Sequence, residues 1–528
     1  MKDISFMKKK KLLLIFFLTI LLNCIIWLII VPLWHTPDEQ AHFAEVAFLA
    51  EKGRIPDPND KYDLTEEIYI SEALLGTVRD KSGNNKFTFH PEYRIEYTDS
   101  LVGKYEASIA ALTHSSAKSN FVKNEAARYP ILYYYPASLI YRLFYNSNLF
   151  TRVFAVRFWS LALFLINIYL VYQIGKLILR DEKKSIMLVA LVGFQPMMVF
   201  ANIGVNSDAL GNLFFTVFLY FCTRLIVRGA NYTDMIVLAA ISVLSIQAKP
   251  QFVMILPVLT CLFLLLFMRD FIKKRNWPVL FLFFLAGIGL MFYLYKVQWG
   301  PIWLISHFIL SFNPGSFFKY FWEYTLPHTY REVMPWYWGI YNWLGVTYPR
   351  IVHRTINWIV VISLTGFGVW LVKMIKNKLW RKREIQSILF MVFIGLIYFI
   401  SISLYDWLSW YTGKYPLGVQ GRYFFPMISI QMLIVYLGLD SLLPKSWHKK
   451  ISLTGLSVVL MIMLNLYALY TVSASYYKLL PIFLFINQVS QYKPWLVKGA
   501  VIPFVFGVYI VSLIIFLNHL TSKSKELE

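Results

Sequence analysis

The sequence predicts an all-α polytopic membrane protein. About twelve transmembrane helices are expected, with a large first extracellular loop that contains interfacial helices. Three observations carry this expectation. Apolar side chains make up 58% of the 528 residues and charged ones 15%, whereas a soluble domain is about 25% charged. Apolar runs of spanning length recur along the chain. Lys and Arg gather in short segments between alternate runs: Lys8–Lys11, Arg180/Lys183/Lys184, Arg224/Arg228, Arg269/Lys273/Lys274/Arg275, Lys373 to Arg383, Lys445/Lys449/Lys450 and Lys523/Lys525. That distribution marks cytoplasmic connections. It accounts for the formal net charge of +22 without a nucleic-acid partner.

The elements follow in order. Residues 1–34 form a cytoplasmic N-terminus and a first span over 12–34, long and without a small-residue cleavage site, so it reads as retained. Residues 35–150 form the large extracellular loop. Spans two to seven occupy 151–297, with cores at 153–177, 186–202, 209–223, 235–247, 252–268 and 278–296. An aromatic extracellular loop covers 298–354, and spans 356–373 and 386–404 lie within 355–404. A third extracellular loop, "YDWLSWYTGKYPLGVQGRYFFP", covers 405–426. Spans 424–441, 452–471 and 497–517, with a cytoplasmic tail, complete 427–528. Cys24, Cys222 and Cys261 all fall in apolar runs and offer neither a disulfide framework nor metal spacing. Residues 35–128 hold 16 of the 29 acidic residues against 11 basic ones, so polar weight concentrates at one surface.

Within the first loop, "TPDEQAHFAEVAFLAEKG" predicts a helix. Thr36 suits the N-cap, Pro37 the first turn, Glu39 completes a T-x-x-E capping box, and Gly53 suits the stop. Phe43, Val46, Ala47 and Ala50 recur at helical spacing, which predicts one face on the bilayer interface. "RYPILYYYPASLIYRLFY", residues 128–145, is apolar but short and predicts a second interfacial helix. A true span there would reverse every later segment, against the basic clusters.

Several positions can carry chemistry. Asp38 and Glu39 have a plain reading as first-turn acids that favour the helix dipole. Their place at the exit from a span also suits a general base that meets a lipid-borne head group and an aqueous acceptor. His42, four residues on, shares the face of Asp38 and can orient the acid, bind substrate or help hold a metal. One His with two acids falls short of a divalent-ion ligand set, so a cation cofactor stays open. In "QGRYFFP", Arg422 and Tyr423 stand at a span mouth. Arg422 is either a snorkelling residue of an aromatic belt or a guanidinium fork for phosphate, with Gly418 and Gly421 allowing close backbone approach. Asp208 in "GVNSDAL" either caps its span or joins a site with Asn206. Lys249 in "AKPQF" stands on the side that the basic residues avoid. Arg157 lies inside a span, where an ionisable group is a functional hypothesis that snorkelling also explains. The Trp and Tyr residues of 299–348 read as an interfacial belt or as a saccharide groove.

These pieces together resemble the GT-C superfamily of integral-membrane glycosyltransferases. More narrowly, "PDEQAHF", "YPILYYYP", "GVNSDAL", "AKPQF" and "QGRYFFP" resemble a bacterial family of predicted membrane proteins with a PDE-x-x-H first-loop motif and a QGRY motif. The similarity runs from about residue 30 to 440. The departures are Thr36-Pro37 where Pro-Pro usually precedes the acids, and Tyr129-Pro130-Ile131 where Pro-Pro is frequent. The resemblance implies a donor sugar on polyprenyl phosphate, an envelope polysaccharide or other glycan acceptor, and a site on the extracellular face of a bacterial plasma membrane. It implies Asp38 as base, Glu39 as second acid and Arg422 on the donor phosphate, with inversion at the anomeric carbon. His42, Arg157, Asp208, Lys249 and Tyr423 are expected as substrate-binding residues. Two other classes fit the span count: a flippase or transporter of lipid-linked glycans, and a polymerase or ligase of glycan chains.

Overall fold

An apolar run folds as helix in lipid because only there does each peptide group find its partner within the segment. The first such run is α1, Lys2–Ile30. The structure, a computed structural model, describes residues 2–56, 63–80, 83–93, 99–112, 118–123, 125–271, 310–444, 446 and 452–521. Among these, nine helices are long and apolar enough to cross a membrane, or ten if one bent pair counts as a span.

After α1 come α2 (Glu39–Lys52), β1 (Asp63–Thr65), α3 (Glu66–Leu75), α4 (Asp99–Ala110), β2 (Lys118–Lys123) and α5 (Tyr134–Leu143). The bundle continues with α6 (Leu149–Leu179), the bent pair α7 (Glu182–Gly193) and α8 (Pro196–Asn202), α9 (Asp208–Arg228), α10 (Tyr232–Ala248) and α11 (Ile255–Leu266). Residues 314–338 form α12, a helix of alternating α and π turns, followed by the hairpin β3 (Ile340–Tyr341) and β4 (Val346–Thr347). Then come α13 (Arg350–Lys376), α14 (Arg383–Gly413), a 3-10 segment (Gly421–Met427) leading into α15 (Ile428–Leu442), α16 (Leu453–Tyr476), α17 (Ile482–Ser490) and α18 (Val501–Thr521).

The difference from twelve has identifiable sources. The expected span 186–202 is the pair α7–α8, bent by 62°. Pro196 has no N–H to continue a helix and starts a new one. The break is closed by side chains: Asn465 donates to Phe194 O at 3.0 Å, and the Gln195 side chain receives the Met198 N–H and donates to Tyr337 O. The expected span 235–247 is α10, an apolar helix of 17 residues. The expected span 278–296, residues 298–309 of the aromatic loop, Lys273, Lys274, Arg275, Lys445, Lys449, Lys450, Lys523 and Lys525 lie outside the described residues.

Helix packing uses small residues where backbones meet. A Cβ at Gly366 of α13 would stand 2.2 Å from Gly438 O of α15, and one at Gly438 would stand 1.9 Å from Ser363 O. Adding a methyl at either position would force the pair apart.

The first long loop is folded onto the bundle. Arg152 of α6 holds Glu67 of α3 through two bonds of 2.8 and 2.7 Å, with both side chains buried. Arg142 of α5 donates to Ala50 O and Leu49 O, carbonyls in the last turn of α2. Gly53, at φ 65°, stops α2 as expected. The start of α2 is different. Thr36 is not its N-cap: the helix begins at Glu39, and Asp38 precedes it at φ 55° with no side-chain cap. Thr36 packs instead on Gly204, where any Cβ would overlap it. Nor does α2 leave a face for lipid, because every residue from Glu39 to Ala50 is buried within the protein. By contrast α5 has ten residues, too few to span, and exposes Tyr135, Leu139 and Leu143 along one stripe. That stripe suits a helix lying in the bilayer surface.

Candidate functional site

The site is built where the chain leaves α1. Residues 31–38 run between the end of α1 and the start of α2, with Trp34 and Asp38 both in the left-handed region at φ 63° and 55°. The segment is held from several sides. Trp34 Nε1 donates to Ser71 Oγ of α3 at 2.9 Å, and Trp343 of the β3–β4 hairpin donates to Trp34 O at 3.2 Å. Asn206 donates from its amide to Pro37 O at 3.0 Å. Non-glycine residues in this region cost energy and persist only when their surroundings hold them.

The turn sends the two acids to different partners. Glu39 is fully buried. Its Oε1 accepts from Arg157 Nε at 2.7 Å and Val205 N at 3.2 Å, and its Oε2 from Arg157 Nη2 at 2.6 Å and Trp34 N at 3.1 Å. Each oxygen has both lone-pair sites engaged. Two further donors of Arg157 go to Val31 O and Pro32 O. Glu39, expected as capping partner and second acid, is therefore the core of a closed ion pair. Arg157, expected on the substrate, is its partner. The Glu39 carboxylate has no free hydrogen-bonding position for a ligand, and four of the five Arg157 donors are used.

Asp38 has an open carboxylate. Its side chain is 38% exposed, Oδ2 accepts from Arg422 Nη2 at 2.9 Å, and Arg79 Nη1 stands 3.7 Å from Oδ1. Partial enclosure alone would raise this carboxyl. The charge of Arg422, then His42 and Arg79, outweighs it and holds the group down at about 2. Arg422 is 8% exposed, and its Nε and Nη1 are buried with no hydrogen-bond partner among the described residues. A guanidinium has a fork of donors suited to phosphate or carboxylate, and here half of the fork is unused.

The other expected residues surround this pair. Asp208, at the first position of α9, is ion-paired with Lys249. Its backbone N–H is capped by Asn206 Oδ1 at 2.8 Å. Lys249 lies along Gly211, where a Cβ would come within 3.0 Å of the lysine stem. His42 faces Asp38, Asp208, Lys249 and Arg422, and burial pushes its imidazole down to about 4, so the ring is neutral at neutral pH. Nδ1 is 2.6 Å from Tyr134 Oη, and the ring stacks on Tyr129 and Tyr134 at 19° and 18°. Tyr423 follows Arg422, whose guanidinium lies over its ring at 5.8 Å. Gly421 serves packing and not ligand approach: a Cβ there would stand 2.2 Å from Tyr337 N of α12. Gly418 is a left-handed turn position at φ 69°.

The structure thus brings Asp38, His42, Asp208, Lys249, Arg422 and Tyr423 together and sets Glu39 and Arg157 behind them. Three participants were not legible as site residues. Tyr129 and Tyr134 lie in "YPILYYYP", where an apolar helix is the immediate reading. Arg79 lies in a polar loop like any other. Asp38 and Asp208 each face cationic side chains, and among the described residues no group of three or more His, Cys, Asp or Glu is gathered for a metal.

Comparison with known proteins adds the following. No curated protein matches the sequence. Among solved structures, the crystal structure of ArnT from Cupriavidus metallidurans bound to undecaprenyl phosphate is similar at 13% identity over 96% of this chain and 77% of that one. Its TM-score is 0.37, a likeness too loose to carry any residue across. Residues 21–431 match a family described as a predicted membrane protein, DUF2142. With most of its length covered by that match, the chain belongs to the DUF2142 family of predicted membrane proteins.

Proposed function

We propose that the protein is a glycosyltransferase that moves a sugar from a polyprenyl-phosphate donor to a cell-envelope glycan on the extracellular face of the membrane. The observation that carries this reading is the half-open pair of Asp38 and Arg422: an ionised, accessible carboxylate beside a buried guanidinium with unused donors. The acceptor hydroxyl attacks the anomeric carbon and gives its proton to Asp38. The bond from that carbon to the phosphate oxygen breaks, and the phosphate leaves with the electron pair, stabilised by Arg422. Attack opposite the leaving group inverts the centre. Tyr129, exposed and stacked on the neutral, buried His42, offers a ring face suited to a sugar, and Lys249 with Asp208 borders the phosphate side.

Charge supports this side of the membrane. From Leu149 near the site, α6 runs 31 residues to Leu179, about 46 Å at 1.5 Å per residue. At that far end stand Arg180, Lys183 and Lys184, where the positive-inside bias expects cytoplasm. A transporter would draw on the bent pair α7–α8, since transporters bind at broken helices. Here the break is filled by Asn465 and Gln195, which favours the enzyme.

The test uses full-length protein in liposomes with a polyprenyl-phosphate sugar and an envelope glycan. The wild type should release polyprenyl phosphate and extend the acceptor by one sugar, and Asp38→Asn should lose about 10²–10⁴-fold in rate. Undiminished transfer by a folded Asp38→Asn protein removes Asp38 as base. Movement of intact donor across the bilayer without release supports the transporter. A product longer by a whole glycan block supports a polymerase or ligase.

A further inference from the structure

The chain between α16, which ends at Tyr476, and α18, which starts at Val501, is too long for a turn and has no part in the mechanism above. It holds α17 and a 3-10 turn, Trp495–Val497. A helix on a water-facing surface buries its apolar side chains and exposes its polar ones. Here the order is inverted. Leu480, Ile482, Phe483, Trp495 and Leu496 are 60–80% exposed, while Gln488 and Lys493 are buried.

The polar groups of the segment are spent on the protein. Gln488 Oε1 accepts from Lys478 N at 2.7 Å, and Ser490 Oγ accepts from Gly499 N at 2.9 Å. Lys493 folds back and donates to Val489 O, in the last turn of α17, at 2.5 Å. Lys498 is paired with Glu106 of α4. Within the 3-10 turn, Val497 N returns to Pro494 O and Lys498 N to Trp495 O, at 3.1 and 3.3 Å. Irregular chain can lie against lipid only where protein satisfies its backbone groups, and these positions meet that condition. The inner side of α17 is tied to a third span. The Tyr477 ring meets Phe485 edge-on, and its Oη donates to Ile30 O, at the last residue of α1, at 2.7 Å. The end of α1 therefore meets the end of α16 at α17.

We infer that residues 480–496 are a membrane-surface anchor, with Leu480, Ile482, Phe483, Trp495 and Leu496 bedded in the bilayer leaflet on the Asp38 side. The occupant of this face is lipid. Its apolar row runs on into the outward side of the span α18, where Val501, Phe504 and Val508 are exposed. Trp beside a span end is the residue of the headgroup boundary. So many large apolar side chains in so short a stretch are rare on a surface that meets water. The bond from Tyr477 to Ile30 O gives the anchor a consequence: it holds the end of α1 at the level of that leaflet, and residues 31–38 lead from there to Asp38. The anchor rests on the spans and not on the glycosyltransferase reading.

Spin labels on the full-length protein in lipid discs test this. Cys261→Ser serves as background, since Cys24 and Cys222 are buried. Single nitroxides go on Phe483→Cys and Trp495→Cys. Phe504→Cys of α18, 70% exposed, is the lipid reference, and Glu92→Cys in the polar first loop, 58% exposed, is the water reference. At the two anchor sites molecular oxygen should relax the label and a water-soluble nickel chelate should not, as at the lipid reference. The water reference should show the reverse. Nickel access at the anchor sites equal to that at the water reference overturns the anchor. Protection from both reagents overturns it in favour of a protein partner, a second copy of this chain where native mass spectrometry finds two chains per disc. A label on Leu480→Cys then reads the same row after Phe483→Glu with Trp495→Glu. It should gain nickel access, because charge at those positions lifts the segment out of the leaflet. An unchanged label there overturns the bedding of the two side chains.

Discussion

Asp38 and Glu39 are adjacent, and each meets an arginine from a distant helix. Glu39 and Arg157 make two bonds of 2.7 and 2.6 Å, with every remaining position on the carboxylate taken by backbone. Asp38 and Arg422 share one bond of 2.9 Å, with the carboxylate 38% exposed and two guanidinium nitrogens without a partner among the described residues. The same pairing chemistry serves opposite ends. A saturated pair fixes the shape of the exit segment, whereas an unsaturated one has capacity left for a ligand. The difference comes from backbone: a left-handed Asp38 turns the first acid away from the buried side that Glu39 enters.

Breaking each pair should expose that difference. The largest effect is expected from Arg157→Ala, which strands a buried carboxylate and should cost about 3–5 kcal/mol. Thermal unfolding of the purified protein, or loss of folded yield, reads it. Combining Glu39→Gln with Arg157→Met should recover much of the loss. Recovery of nothing would mean the pair does more than fill and fix.

Next comes Arg422→Lys, which keeps the charge and loses the fork. Donor KM should rise about tenfold, the loss of one charge-assisted bond, while the unfolding midpoint moves far less than in Arg157→Ala. An equal fall in stability would make the two pairs alike after all.

The pH response separates them further. Asp38 lies below the ordinary carboxylate value, so its ionised form stabilises the fold above about pH 4, and this contribution is lost as pH falls toward about 2. His42 takes a proton only near 4. Activity should therefore show no acid limb from either group between about pH 5 and neutrality. In Arg422→Ala the enclosure remains and its main opposing charge is gone, so the acid limb should move up in pH. An unmoved limb in the pH–rate profile would separate Asp38 from that limb.

The smallest effect is expected from Tyr134→Phe, which removes the partner of His42 Nδ1. A cost of about 1 kcal/mol in the same unfolding assay is expected, with a modest change in rate.

Much of the fold was legible because lipid imposes it. Apolar length and the placing of Lys and Arg located α1, α6, α9 and α13 to α16, where hydrogen bonding within each helix leaves little choice. The reading went astray where tertiary contacts decide. "TPDE" has a capping box by local rules, but Thr36 is taken up by Gly204 and Glu39 by Arg157, 118 positions away. Nothing local announces such a partner. Lys249 could be singled out because a cation on its side runs against the charge bias, and the structure gives it Asp208 as partner. Arg79 had no comparable signal. Its significance lies in the complete burial of its side chain beside Asp38, within a loop whose composition is that of an exposed one.

The bare stripe of α5 has a consequence for where chemistry happens. Tyr135, Leu139 and Leu143 face outward, while Tyr134 on the same helix meets His42. On the proposed reading, a helix so placed would set the pair of Asp38 and Arg422 close to the level of the headgroups.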